Sequence, residues 1–516
     1  MNRQFLRQLT EAHSWLGLMA STLLFVIFFA GSVTLFKEEI HQWAFQPHYE
    51  LDQGQPLPVS KIFAAVMQAQ PFDPKGRVTL VMPNQHMPYF QLRARFLNAH
   101  EFTKVVIDPT TGAIVDDNIQ FFLSTFIYRL HYELNVSFGY ELIGVITLFL
   151  FFMLVSGILI HSRHLISRFF RYQPDKQKRT KLLDMHTVIG VMTLPYTLMY
   201  AITGLLFNLL LVYQVAFVTV LYKGDQQALK QDSGYFSMNA QWQGKPQQIT
   251  DIDRLHNETV AKYQQKPTSI RLYNYGDQGA VVHFRGEQKS GFAQRYEVAY
   301  ALENNQNVFR KDADNPNAVS RGMAVAAKLH FGNYAGTDLR LVYFLLGLGV
   351  CALIVTGNLL WIDKKAKQRK SSPKTVALVT NVTLLGSAGV VLATAVAFMF
   401  ERTLPVDLAT RSSLMVYSFV ATLGATGIYL YFDKNKTRCL SALMGLSSLV
   451  LVFVVIVDWL MFGQTIVDLW HKGVKTIVAT ELGLLSVAAA LGFAAVKLGV
   501  RSRGNGVYAA AGKVPA

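Results

Sequence analysis

Glu11-Ala12-His13-Ser14-Trp15-Leu16-Gly17 opens an apolar run that reaches Ala30-Gly31, and Asp184-Met185-His186 opens a second that reaches Thr203-Gly204-Leu205. In the first copy the histidine is followed by glycine at +4 (Gly17) and +18 (Gly31), and in the second by Gly190 and Gly204 at the same offsets. Eighteen residues at about 100° each make five whole turns, so each histidine shares a helix face with its distal glycine about 27 Å away. One face carries an imidazole at one end and a gap at the other. Two flat cofactors, one near each membrane surface, account for both features: haem iron accepts imidazole axially, and glycine lets a porphyrin approach the helix backbone. Glycine in membrane helices also serves helix packing, and either stretch alone reads that way; the same spacing twice favours haem.

Working outward, the 516 residues are 51% hydrophobic with mean hydropathy +0.25, too apolar for a soluble protein of this size. Eight runs are long enough to span a bilayer, near 14–36, 138–160, 187–213, 340–362, 376–400, 413–432, 440–462 and 477–499. The 49 Lys+Arg against 33 Asp+Glu give a formal charge of +16. These cations cluster beside spans, so they read as topology signals and no nucleic-acid partner is expected. Arg3 and Arg7 precede the first span, the stretch from Arg163 to Lys181 follows the second, Lys364 to Lys374 the fourth, Lys434 to Arg438 the sixth, and Arg501 and Arg503 the eighth. The positive-inside rule then puts both termini in the cytoplasm and the two polar intervals, 37–122 and 223–323, outside. The first run is long and lacks a small-x-small cleavage site, which predicts a retained anchor. Cys351 and Cys439 lie in or beside spans, and no Cys-x-x-Cys-His attaches a c-type haem.

Each polar interval predicts a small α+β module. The first has a helical piece, Val59 to Gln70, then strands at 77–81, 90–94 and 104–107 ending in Asp108-Pro109-Thr110-Thr111-Gly112; the second has a helical piece near 252–264, strands at 269–272, 279–284 and 296–302, and a turn at 303–307. Span, module and span therefore repeat, at about 13–165 and 186–363. The returning spans carry the mirrored signal. Leu130-His131 precedes the second span, which ends Ser156-Gly157; Leu329-His330 precedes the fourth, which ends Thr356-Gly357. Cofactor sites in bundles are built from facing helices, so His13 pairs with His186 at the cytoplasmic end and His131 with His330 at the outer end. Gly157 and Gly357 then make room for the inner haem, Gly31 and Gly204 for the outer one.

His161 is an alternative inner ligand, although Trp361 stands at its position in the second repeat; His161 and His164 otherwise read as snorkelling residues of a basic loop. His41, His48, His86, His100, His256, His283 and His471 lack ligand spacing and read as surface residues, with a substrate contact as the alternative. Asp458 and Glu481 are the ionisable residues of the last four spans; both lie near an interface, where a solvated or a paired acid is cheap, so they carry little functional weight. Arg129, Lys328 and Arg340 stand near the outer ligands and are candidates for haem propionates or an anionic chelate. No Gly-x-Gly-x-x-Gly follows a strand, so the electron donor must be separate, a cytoplasmic reductase or membrane quinol.

Over roughly 1–365 these motifs resemble the PepSY-associated transmembrane proteins, bacterial inner-membrane proteins of iron uptake; the residues that carry the resemblance are His13-Ser14-Trp15-Leu16-Gly17, Leu130-His131, Ser156-Gly157, Asp184-Met185-His186, Thr203-Gly204, Leu329-His330-Phe331-Gly332, Thr356-Gly357 and the PepSY-like Asp108-Pro109-Thr110-Thr111-Gly112. The second module lacks that Asp-Pro-x-x-Gly. Some members are haem-carrying ferrisiderophore reductases. The resemblance implies that activity here, with a ferric siderophore or other ferric chelate as the periplasmic partner, whereas the spacing by itself reaches a di-haem b electron carrier with bis-histidine ligation. The expected architecture is a polytopic all-α membrane protein with a four-helix haem-binding bundle and two α+β periplasmic modules. By residue this is span one at 1–36, a module at 37–122, span two at 123–165, a basic loop at 166–184, span three at 185–222, a module at 223–323, span four at 324–363, a linker at 364–375, four further spans at 376–503 and a tail at 504–516. Two rival readings are a non-redox siderophore or metal transporter and a membrane-anchored, protein-binding or protease-inhibiting module. The parallel repeat argues against the first, and the second leaves the paired histidines without a purpose.

Overall fold

The structure is a computed structural model that describes residues 2–45, 54–84, 87–97, 102–116, 122–162, 178–209, 218–226, 228, 240–249, 251–288, 292–312, 318–368 and 372–511, with 501–511 as backbone. The basic stretch 163–177 with His164, and His48, His86 and His100, lie outside these residues. In chain order come α1 (Arg3–Thr34), α2 (Lys37–Phe45), α3 (Val59–Ala69), β1 (Arg77–Val81), β2 (Phe90–Arg95), β3 (Phe102–Ile107), β4 (Ile114–Asp116), α4 (Leu123–Glu133) and α5 (Gly139–His161). The second half of the repeat comprises α6 (Lys178–Asn208), α7 (Ile252–Tyr263), β5 (Ser269–Tyr273), β6 (Val281–Glu287), β7 (Arg295–Ala301), β8 (Asn307–Lys311), α8 (Ala318–Phe331) and α9 (Thr337–Ala366). The chain continues through α10 (Pro373–Leu384), a π-turn (Leu385–Gly389), α11 (Val390–Thr403), α12 (Arg411–Phe432), α13 (Lys436–Phe462), α14 (Ile466–His471) and α15 (Lys475–Ala511). Contacts divide it into two units, one of Met1–His41, Phe122–Leu211 and His330–Ala516, the other of Gln42–Phe121 and Val212–Leu329.

Among the described residues of the helical unit, eight helices are long and apolar enough to cross a membrane, as the sequence predicts. Helix α1 packs against α5 and α9, and α6 packs against the same two, so the four close a ring in which α1 faces α6 across the middle. Glycine sets the closest approach: a Cβ on Gly347 of α9 would stand 2.0 Å from Ser32 Oγ of α1. The remaining helices pack as α11 on α12 and α13, and α13 on α15, with the π-turn lying against α1. His131 and His330 do not lie in the spans themselves. Leu134, Asn135 and Phe138 take positive φ and separate α4 from α5; Gly332 (φ +61°) separates α8 from α9 at a place where a Cβ would meet the Tyr343 ring at 3.0 Å. Each outer histidine is therefore carried on a short helix that precedes its span.

In the other unit the two polar intervals form one sheet. Its order is β4-β3-β2-β1-β5-β6-β7-β8, antiparallel throughout, with β1 of the first interval paired to β5 of the second from Arg77↔Tyr273 to Val81↔Ser269. Strict alternation produces this: Val78 and Leu80 are buried while Arg77 is exposed, and Val59, Ile62, Phe63 and Val66 bring an i, i+3, i+4, i+7 stripe of α3 onto that apolar face. Helices α3 and α7 lie side by side, tied by Ser60, whose N–H donates to Asp253 Oδ1 at 3.1 Å and whose hydroxyl donates to Oδ2. Asp108 closes the PepSY-like turn by accepting from the Thr110 and Thr111 amides at 2.8 and 3.0 Å. Gly112 follows at φ +73°, where a Cβ would press on Ala65 at 3.0 Å.

Candidate functional site

The helix ring gathers four histidines into two pairs, each ring seated in a notch of a neighbouring helix. At one end of the ring, the one the sequence reads as inner, His13 of α1 reaches α5, with Nδ1 2.9 Å from Ser156 Oγ. The Ser156 hydroxyl donates its own hydrogen to Met153 O at 3.1 Å, so its oxygen must accept from His13 Nδ1–H. His186 of α6 does the same on α9: Nδ1 lies 3.1 Å from Leu353 O and 3.2 Å from Thr356 Oγ1, whose hydrogen goes to Leu353 O at 2.9 Å. A glycine follows each hydroxyl residue. A Cβ on Gly357 would crowd His186 Cε1 at 3.2 Å, whereas one on Gly157 would meet His13 Cε1 in ordinary contact at 3.6 Å. His13 and His186 are electrostatic neighbours, and His161 at the end of α5 is a weaker neighbour of His186.

At the other end, read from the sequence as outer, His131 of α4 reaches α1, with Nδ1 2.8 Å from Ile27 O. Gly31 is essential there, since a Cβ would stand 2.8 Å from both Cε1 and Nδ1 of that ring. His330 of α8 reaches α6, with Nδ1 2.8 Å from Thr203 Oγ1, whose hydrogen goes to Met199 O at 2.8 Å. Tyr200 OH donates to His330 O at 2.8 Å, and the Tyr200 and Phe207 rings flank the imidazole. The His131 and His330 rings face one another with centroids 6.1 Å apart and planes tilted by 43°. Gly204 departs from the pattern, for it meets Thr147 of α5 at 3.2 Å and no imidazole.

One chemical state suits all four. A carbonyl only accepts, so Nδ1 of His131 and His186 carries the proton and Nε2 keeps its lone pair; the same tautomer on His13 and His330 lets the Ser156 and Thr203 hydroxyls keep their bonds to Met153 O and Met199 O. This is the support that a metal-ligating histidine receives from its surroundings, fixing tautomer and ring orientation. Among the described residues no group of three or more His, Cys, Asp or Glu converges to hold a metal ion. What the arrangement offers is a facing pair of imidazoles, His131 and His330, and a second pair of electrostatic neighbours, His13 and His186, suited to ligating a group that brings further donors of its own. The hydroxyls of Ser156, Thr356 and Thr203 were not assigned this task from sequence, although their Ser/Thr-Gly pairs are visible there.

Several other expectations change. Arg129, Lys328 and Arg340 are each engaged by an acid of the chain: Arg129 by Glu133, Lys328 by Glu287 at 2.8 Å, and Arg340 by Glu39 at 2.6 Å together with Leu35 O at 3.0 Å. His41 and His283 are buried, 3% and 1% exposed, which corrects their reading as surface residues. His41 contacts Ser124 Oγ and His283 contacts Glu297 at 3.2 Å, so each pairs with a polar group inside its unit. Of the solvated and paired alternatives, Asp458 and Glu481 take the paired one, fully inside the protein. Asp458 lies 2.5 Å from Arg402 and Glu481 accepts from Trp459 Nε1 at 3.0 Å; removing one partner of such a buried pair costs about 3–5 kcal/mol.

The family model described as PepSY-associated TM region matches residues 10–364, which include all four histidines and their seats. An uncharacterized protein of Pseudomonas aeruginosa is 25% identical over 353 residues, covering 65% of this chain and 87% of its own.

Proposed function

This multi-pass membrane protein belongs to the PepSY-associated TM family, and from that premise we propose that it is a di-haem b electron-transfer protein of the bacterial inner membrane that reduces ferric siderophores on the outer side. The observation that carries the reading is the His131–His330 pair, whose centroids are 6.1 Å apart. With metal–imidazole bonds of about 2.0 Å and about 1.1 Å from each Nε2 to its ring centre, one iron between two imidazoles calls for about 6 Å. The residues present fit the group. His131 and His330 would hold the outer haem and His13 and His186 the inner one, each through Nε2, while Ile27 O, Thr203, Ser156, Leu353 O and Thr356 keep the proton on Nδ1. Haem supplies a one-electron carrier whose potential the axial ligands and their hydrogen bonds tune.

Two carriers at opposite ends of one ring of helices support passage of electrons from a separate cytoplasmic or quinol donor to the outer surface. There a single electron converts Fe(III) in a siderophore to Fe(II), which the chelator holds far less tightly, so iron leaves with the chelator intact. Purified protein should show a reducible b-type spectrum with two haems per chain by pyridine haemochrome. Dithionite-reduced protein should be reoxidised anaerobically by a ferric siderophore, Fe(II) appearing in a ferrozine trap, and His330→Ala should abolish this. Haem that stays reduced with hydroxamate, catecholate and citrate chelates alike would sink the ferric-reductase reading.

A further inference from the structure

The sheet uses one face for its core and helices and keeps charge on the other. Register places a single row across five strands on that second face: Lys104 of β3 opposite Arg93 of β2, Arg93 opposite Thr79 of β1, Thr79 opposite Arg271 of β5, and Arg271 opposite His283 of β6. Adjacent strands stand about 4.8 Å apart, so Arg93 and Arg271 flank Thr79 with backbones about 10 Å apart. Register therefore sets the short Thr79 side chain and its hydroxyl between two long guanidinium side chains, the arrangement called the slot below. The slot straddles the seam where the two polar intervals join, one arginine coming from each.

Nothing on this face neutralises the two arginines. Among the described residues Arg93, which is exposed, makes no ion pair; the Arg271 guanidinium has the uncharged Tyr273 hydroxyl beside it, while its Nε is buried with no hydrogen-bond partner. Burial, and then the neighbouring cations Arg285 and Arg77, push the Arg271 guanidinium below its ordinary value. The nearby acid, Glu297, is already engaged by His283 and Arg285. A buried donor left without a partner is costly, and like charges across neighbouring strands destabilise a sheet. Cations kept in such a place are expected where a ligand brings the opposite charge. Arginine rather than lysine at both edges favours planar oxygen pairs, which guanidinium groups grip two atoms at a time.

We propose that the Arg93–Thr79–Arg271 slot binds the ferric chelate, and that the chelates it selects are anionic, presenting carboxylate or hydroxycarboxylate oxygens to the two guanidinium groups. The iron in this statement rests on the reductase reading above; the anion site does not. Gallium(III) citrate separates the two, because it is redox-inert and its binding needs no haem. Isothermal titration of the full-length protein in detergent should show saturable binding that weakens with added salt. Arg93→Gln and Arg271→Gln should each weaken it about tenfold or more, the loss of one charge-assisted contact. Arg93 is exposed on its strand, so Arg93→Gln tests the site even if Arg271→Gln folds poorly. Absence of saturable binding up to millimolar concentration, or an unchanged affinity in Arg93→Gln, overturns the proposal. Protein that binds gallium citrate yet carries no haem keeps the anion site and loses the reductase reading. Protein with two haems that is reoxidised only by uncharged chelates does the reverse.

Discussion

A threonine buried in a membrane helix commonly donates its hydroxyl to a carbonyl one turn back, and Thr203 does so to Met199 O at 2.8 Å. That commitment leaves only acceptor capacity for His330 Nδ1, also at 2.8 Å, and so converts a packing residue into one that sets a tautomer. Thr203→Val keeps the volume and removes the acceptor. We expect the outer site to lose about 10- to 100-fold in haem affinity, the usual cost of deleting a supporting partner of a metal-bound histidine, with the inner site unchanged and Thr203→Ser restoring the loss. Haem titration of apoprotein followed by absorbance checks this; a valine variant that binds both haems as tightly as the parent would show that the hydroxyl is only packing. The sequence displayed Ser156-Gly157, Thr356-Gly357 and Thr203-Gly204 as small-residue pairs. It could not display what the hydroxyl and the gap were for, because both act on a ring that belongs to a different helix. Gly31 and Gly357, read as room for a porphyrin, also leave room for the His131 and His186 rings, where a Cβ would stand 2.8 and 3.2 Å away.

Strands were legible wherever apolar and polar residues alternate, so β1, β2 and β3 and their counterparts β5, β6 and β7 fall close to the segments read from sequence. The edge strand β8 was read at its start as a turn, having only a partly buried Phe309 to mark a face. The β1–β5 seam was not legible at all, since a backbone ladder between distant segments leaves no local pattern. Cross-strand chemistry within the sheet has its own consequence at Glu297. Burial raises this carboxyl, but the hydrogen bond from His283 and the charge of Arg285 outweigh it and hold it at about 2, below its ordinary 4.5. A group depressed on folding contributes stability that is fully present above its unfolded value and is lost as pH falls through the folded one. The contribution, on the order of 3 kcal/mol, is thus complete above about pH 4.5 and fades towards pH 2. Thermal melts of the solubilised protein should fall over that window, and Glu297→Gln should lower stability at pH 6 while flattening the decline. Parallel pH curves for the two proteins would refute the assignment.

Across the whole molecule the same unit of construction is used four times, with the roles of the helices exchanged between the two ends. Inside, α1 and α6 supply the histidines and α5 and α9 the seats; outside, α4 and α8 supply the histidines and α1 and α6 the seats. Facing helices α1 and α6 therefore take part in both sites, yet through residues at opposite ends, His13 being eighteen positions, or about 27 Å, from Gly31. Over such a distance two substitutions with no shared partner behave independently. His131→Ala or His330→Ala should accordingly remove one haem and leave the spectrum and potential of the other intact, and His13→Ala or His186→Ala should do the converse. His161 is the discriminating control. It ends α5 and is the weaker histidine neighbour of His186, whereas His13 is the stronger one and is held on α5 by Ser156. Haem counts on the five single variants decide among the possibilities: His161→Ala is expected to retain two. If His161→Ala loses a haem while His13→Ala keeps both, the inner pair is His161 with His186, and His13 is a packed helix residue whose glycine seat serves only α1 and α5.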